Sequence, residues 1–130
     1  MLANAAIIII AHNGVEFSRY CLEGLLQAGD LPAELFLVDN GSTDATPALH
    51  AEVIPAFRER GVRVVAWRNA ENKGCSLARN EPWSQATAKY VVFMDNDVVP
   101  RTRRWLSLLV AQMEADSRLA ILGPKMVYPF

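Results

Sequence analysis

Ala6-Ile7-Ile8-Ile9-Ile10-Ala11 is an unbroken apolar run, dominated by β-branched side chains and ended by His12-Asn13-Gly14. A strand with one wet face alternates apolar and polar residues, whereas a strand covered on both faces does not. The run therefore predicts an inner strand of a parallel sheet with helices on both sides. Segment 1–11 falls short of the roughly 20 apolar residues of a membrane span. It also lacks the basic stretch that opens a secretory signal.

Working outward, apolar runs alternate with helical patterns. A helix is expected over 16–28, with Phe17, Tyr20, Cys21, Leu22, Leu25 and Leu26 as its apolar stripe and Gly29-Asp30-Leu31-Pro32 as its end. A second strand over 34–38 runs into Asp39-Asn40-Gly41-Ser42-Thr43-Asp44, a segment dense in turn and cap residues. Thr43 or Asp44 can cap a helix reaching Arg60, with a kink or break expected at Pro55. A third strand over 62–67, a polar loop over 68–74 and a helix over 76–88 follow, with Pro82 inside that helix. A fourth strand over 89–94 ends in Asp95-Asn96-Asp97. A helix opened by Pro100 and Thr102 then runs to Asp116, burying Trp105, Leu106, Leu109, Val110 and Met113. A fifth strand is expected over 119–127, interrupted by Gly123-Pro124. The order βαβαβαβαβ predicts an α/β fold, with three α/β/α layers around a mostly parallel, Rossmann-like sheet. Ligands of such sheets bind beyond the carboxyl ends of the strands, where strand order reverses. The polar clusters after strands one to four would all crowd that edge.

The chain has 130 residues, 52% of them hydrophobic and 21% charged. That length and balance describe one globular domain. Thirteen basic and fourteen acidic residues give a charge of −1. No basic face for nucleic acid is therefore expected. Cys21 and Cys75 provide neither a disulfide framework nor a metal spacing. They read as reduced, partly buried thiols, which points to the cytosol.

Asp95-Asn96-Asp97 is the sharpest chemical signal. Two carboxylates leaving one strand end can turn toward one hard cation, and carboxylate oxygens suit Mg²⁺ or Mn²⁺. The competing reading is an ordinary solvated turn. Asp39, at the end of strand two, can accept hydrogen bonds from a ribose or a base; alternatively it is a helix-entry acid. Asn72-Lys73-Gly74 with Arg79 brings cations suited to a diphosphate, or simply a solvated loop. His12 can stack on a base or serve structurally. His50 receives no role, and Trp67, Trp83 and Trp105 read as packing.

Ile7 to Asn13, Val38 to Asp44, Asn72-Lys73-Gly74 through Ala78-Arg79-Asn80, and Phe93 to Asp97, in this order and spacing, resemble the family 2 glycosyltransferases. Val98-Val99-Pro100, Trp105-Leu106 and Gly123-Pro124-Lys125 are similar to its bacterial rhamnosyltransferase-like members. The resemblance implies a GT-A fold, a nucleotide-diphospho-sugar donor, a divalent cation (Mn²⁺ or Mg²⁺), and inversion at the anomeric carbon. It further implies a saccharide or lipid-linked acceptor and work in cell-wall or polysaccharide synthesis. Location would then be cytoplasmic, or peripheral at the inner face of a membrane. By position it assigns His12, Asn13, Asp39, Asn72, Lys73, Arg79, Asp95 and Asn96 to the donor, and Asp95 and Asp97 to the metal. His12 stands where many members carry a larger aromatic residue, and Pro82-Trp83 replaces a stretch of small residues. The family's general base lies well downstream of the metal motif. Glu114 and Asp116 are wrongly placed for it, so the base is expected beyond residue 130. A core edge left open there favours a homodimer.

Three rival readings remain. Val91 to Val98 also resembles the first motif of haloacid-dehalogenase-type phosphatases, but that motif belongs on a first strand and this one on a fourth. A nucleotidyltransferase would need a Gly-rich basic loop where Ala11-His12-Asn13-Gly14 stands. A domain that binds a nucleotide, or assembles with a partner, and catalyses nothing is the non-enzymatic alternative.

Overall fold

The computed structural model describes residues 2–128. Its elements run β1 (Leu2–Ala11), α1 (Val15–Gln27), β2 (Leu31–Asn40), α2 (Thr46–Glu59), β3 (Arg63–Asn69), α3 (Gly74–Gln85), β4 (Tyr90–Asp95) and α4 (Trp105–Ala115). Every neighbouring strand pair is parallel, in the order β3-β2-β1-β4.

The apolar run of β1 is buried on both faces, as its composition requires. Ile7 and Ile9 join the larger core with Cys21, Leu22, Leu25, Leu35, Leu37, Leu49, Val53 and Phe57, under α1 and α2. Ile8 and Ala6 face the other way and meet Phe36, with Val65, Trp67 and Val91 half-buried around them. Leu106 places α4 on the α1–α2 side, while α3 covers the opposite face and buries only Ala78 and Pro82. The three layers are thus unequal. Each fully buried isoleucine contributes roughly 2 kcal/mol of transfer free energy.

Several expectations are corrected. β2 begins at Leu31, not Glu34, and includes Pro32. Proline is tolerated there because β3 starts opposite Glu34, so at Pro32 only one side of the strand is paired. Pro55 does not break α2: Ala51, whose carbonyl loses its partner, faces solvent, and so does Pro55. Phe17 and Tyr20 lie on the outer side of α1 and are 62% and 64% exposed, while Ser18 takes their place inside. Trp83 is also exposed and meets Phe93 edge-on at 6.5 Å. Cys75 is exposed, whereas Cys21 is buried. α4 starts only at Trp105, because Arg104 takes a left-handed conformation and donates its N–H to the Ala28 carbonyl. Asp30 then accepts the Ser107 N–H, capping α4 from the α1–β2 turn.

The fifth strand does not form. Residues 119–128 have no regular structure, and Ile121 is 90% exposed. Gly123-Pro124 interrupts the run, and it pairs with none of the described strands.

At the amino ends of the strands, Glu34 is 3% exposed. It accepts the N–H groups of Thr87 and Ala88, each at 2.9 Å, the Thr87 hydroxyl, and Arg63 at 2.7 Å. Burial pushes its carboxyl up, but these donors together outweigh burial and hold it below its usual value.

Candidate functional site

Strand order reverses at β1, which has β2 on one side and β4 on the other, so the switch-point crevice opens beyond Ala11 and Asp95. The loops after β1, β2, β3 and β4 meet there, as the sequence predicts, and side-chain amides hold them together.

Asn13 is the first tie. Its φ of 59° turns the chain sharply into Gly14 and α1. That left-handed region is one asparagine tolerates better than most residues. Its N–H donates to Ser42 Oγ at 2.8 Å, and its Oδ1 accepts the N–H groups of Thr43 at 2.8 Å and Asp44 at 3.3 Å. Asp44 accepts in turn the Val15 N–H with one oxygen and the Thr46 N–H and hydroxyl with the other. One carboxylate thereby serves the first turns of both α1 and α2. The Thr46 hydroxyl leads the contacts that hold it below its usual pKa.

Asn40 is the second tie. Its Oδ1 accepts Asn69 Nδ2 and the Lys73 N–H, and its Nδ2 donates to Asn72 Oδ1 at 2.9 Å. Gly41, at φ 76°, lets the Glu71–Asn72 backbone pass so closely that a Cβ would lie 2.7 Å from the Glu71 carbonyl carbon. Only glycine accepts both that conformation and that approach without strain. The carbonyl of Asn40 fixes the exposed His12 ring, whose Nδ1–H donates to it at 2.9 Å.

Asp39 lies at the floor and is 2% exposed. Its Oδ1 accepts the Ser42 N–H at 3.0 Å. Its Oδ2 lies 3.0 Å from Arg68 Nε, an ion-pair distance, yet that N–H is misaligned and leaves the oxygen without a hydrogen bond. Alignment matters because a hydrogen bond weakens steeply as its angle closes. The Arg68 guanidinium thus covers this buried oxygen, and a ligand reaches it only if Arg68 moves aside. His50 is buried behind this loop; burial holds its pKa down, and the charge of Asp39 opposes that shift.

On the other wall, Asp95 projects with 68% of its side chain exposed and pairs with Arg79 at 2.9 Å. Arg79 also lies over the Phe93 ring, 5.6 Å from its centroid. That is within reach of a cation–π attraction. Asp97 is exposed. Asn96 turns inward instead, donating to Ser18 Oγ at 2.8 Å and to the Asn13 carbonyl at 3.4 Å. Cys21 lies beneath this turn, its Sγ 3.8 Å from the Asp95 carbonyl. Burial, with Asp97 and Asp95 nearby, pushes its thiol up to about 12.

The predicted site residues therefore gather at one edge but divide in use. Lys73, Arg79, Asp95 and Asp97 present groups at the crevice edge, while Asp39 lies buried under Arg68. Asn13, Asn72 and Asn96 spend side-chain atoms joining loops. Sequence reasoning passed over Ser18, Asn40, Ser42, Asn69 and Arg68 as individual residues. Asn40 and Ser42 stood inside a flagged turn and Arg68 inside a flagged loop, while Ser18 gave no signal at all. Glu114 is bound to Lys89 and Tyr90, and Asp116 to Arg118, all remote from the crevice.

Among the described residues no three metal-binding side chains converge. Asp95 and Asp97 supply hard oxygen donors on an exposed turn, a donor chemistry that suits Mg²⁺ or Mn²⁺.

The fold defines a class: a GT-A domain with a crevice at its topological switch point. The chain belongs to the glycosyl transferase family 2, whose model matches residues 6–129. It is 30% identical over 115 residues to the uncharacterized glycosyltransferase YibD of Escherichia coli (strain K12), covering 88% of this chain and 32% of YibD. It is 31% identical over 91 residues to the teichoic acid poly(glycerol phosphate) polymerase of Staphylococcus epidermidis (strain ATCC 35984 / DSM 28319 / BCRC 17069 / CCUG 31568 / BM 3577 / RP62A), covering 70% of this chain and 12% of that one. The mannosyltransferase PcManGT from Pyrobaculum calidifontis, solved in complex with GDP-Man and Mn²⁺, shares the fold with a TM-score of 0.74 at 24% identity. That match covers 85% of this chain and 32% of PcManGT. The chain thus spans a third or less of these proteins. Family membership removes the phosphatase reading, and β4, which carries the acidic motif, is an edge strand.

Proposed function

We propose that this domain binds the nucleotide-diphospho-sugar donor of an inverting, metal-dependent glycosyltransferase whose acceptor is a saccharide or a lipid-linked glycan. The observation that carries the reading is that buried Asp39, the Arg79–Asp95 pair and exposed Asp97 gather at the switch-point edge of the sheet. Family membership and the GDP-Man and Mn²⁺ complex of the structural neighbour support it.

Asp39 is the acceptor for the base or ribose once Arg68, which covers its Oδ2, moves aside. Lys73 and Arg79 offer cationic donors to the phosphates. Asp95 and Asp97 would hold the cation, whose contribution when bound is to neutralise charge on the departing diphosphate. In an inverting transfer the acceptor oxygen attacks the anomeric carbon as the diphosphate leaves, and a general base takes the hydroxyl proton. Glu114 and Asp116 are both occupied elsewhere, so this domain's share of the reaction is donor binding.

Calorimetric titration of UDP, dTDP and GDP, with and without Mn²⁺, tests the reading. Metal-dependent binding of one nucleotide, lost in a folded Asp97→Ala variant, is the expected result. A folded protein that takes none of the three, or an Asp97→Ala variant with unchanged Mn²⁺ dependence, overturns it.

A further inference from the structure

The middle residue of the acidic turn points away from its neighbours. Asp95 projects into solvent and Asp97 is exposed, while Asn96 between them is tucked under the start of α1. Its amide reaches Ser18 Oγ at 2.8 Å and the Asn13 carbonyl at 3.4 Å. Ser18 is 1% exposed and replaces the aromatic residues expected on that side of α1. A buried hydroxyl on a helix face needs a partner, and Asn96 is the partner it has. The Val98 N–H closes the same turn onto the Asp95 carbonyl at 3.3 Å.

We infer that Ser18 and Asn96 are positioning residues that aim Asp95 and Asp97 at one cation; this rests on the donor-site reading above. An exposed turn with two neighbouring carboxylates would otherwise splay, since like charges repel. Fixing Asn96 inward limits how far the turn can move and leaves both acids exposed on either side of an anchored residue. The anchor lies on α1, the helix that follows the β1 loop, while Arg79 of α3 holds the Asp95 carboxylate from the other side. Partners behind metal ligands have this kind of effect, and their loss typically costs roughly 10- to 100-fold in metal affinity.

The test compares Ser18→Ala, Asn96→Ala and the double variant, each first checked for folding by circular dichroism. Mn²⁺ affinity is read from the free-Mn²⁺ electron paramagnetic resonance signal, in the presence of whichever of UDP, dTDP or GDP the unaltered protein holds. Metal-free affinity for the same nucleotide is the control that a general loosening would also move. Each single variant should lose about tenfold in Mn²⁺ affinity while keeping metal-free nucleotide affinity, and the double variant should lose no more than the worse single. Unchanged Mn²⁺ affinity in Asn96→Ala, or losses that multiply in the double variant, overturns the inference. An unaltered protein that takes no Mn²⁺ with any of the three nucleotides overturns the donor-site reading and this inference with it.

Discussion

Replacing Gly41 with alanine tests whether the fold and the site share one contact. Gly41 has φ 76°, and a Cβ there would lie 2.7, 2.8 and 2.9 Å from the Glu71 carbonyl carbon, the Asn72 nitrogen and the Glu71 Cα. All three are backbone atoms and cannot rotate away. The left-handed conformation alone costs about 1–2 kcal/mol. Pushing the 71–73 loop outward adds roughly 1–3 kcal/mol of overpacking strain. A total of about 3 kcal/mol lowers the Tm of a domain of this size by roughly 10–15 °C. The same movement stretches the bond from the Lys73 N–H to Asn40, so nucleotide affinity should fall although no ligand touches Gly41. Differential scanning calorimetry and nucleotide titration read the two effects. Asparagine at the same position is the control, because it tolerates the left-handed region but still carries a Cβ; it should recover only part of the loss. An unchanged Tm in Gly41→Ala, or full recovery with asparagine, refutes the close approach.

Asp39→Asn keeps an oxygen for the Ser42 N–H but removes the charge, so nucleotide binding should weaken about tenfold while its Mn²⁺ dependence persists. Equal affinity for both proteins would mean that the Asp39 carboxylate meets no ligand. The carboxyl of Glu34 is held below its usual value of 4.5. Its stabilisation is therefore complete above that pH and is lost as pH falls through the lower folded value. Tm should drop below about pH 4.5 more steeply in the unaltered protein than in Glu34→Gln, and parallel curves would count against the network. Iodoacetamide at neutral pH should label Cys75 alone, with Cys21 reacting only after denaturation, as mass spectrometry can count. Two adducts on the native protein would contradict the buried thiol.

What the sequence revealed follows a physical pattern. The inner strand was legible because burial on both faces leaves a continuous apolar run, 6–11, that no other element mimics. The acids at 39, 95 and 97 were legible because they interrupt such runs at strand ends. The extent of β2 was not, since Pro32 reads as a stop unless one knows that β3 starts opposite Glu34. The fifth strand was misread because an apolar stretch fixes a strand only when a neighbour pairs with it. Phe17 and Tyr20 were misplaced because helical periodicity gives a stripe but not which of its edges the sheet covers. The loop ties through Asn13, Asn40 and Asn96 join residues distant in sequence, and amide residues in loops look alike whether they bind a ligand or each other.

Glu34 and its donors lie at the amino ends of the strands, and the crevice lies at the carboxyl ends. The two thus occupy opposite poles of the same sheet. Substitutions that tighten the Glu34 pole can raise stability without re-aiming a single group in the crevice. Exposed crevice residues such as Asp97 can in turn be exchanged while the far pole keeps the strands in register. Only the crevice residues that tie no loop have that freedom; Gly41 and the asparagine ties serve fold and site together.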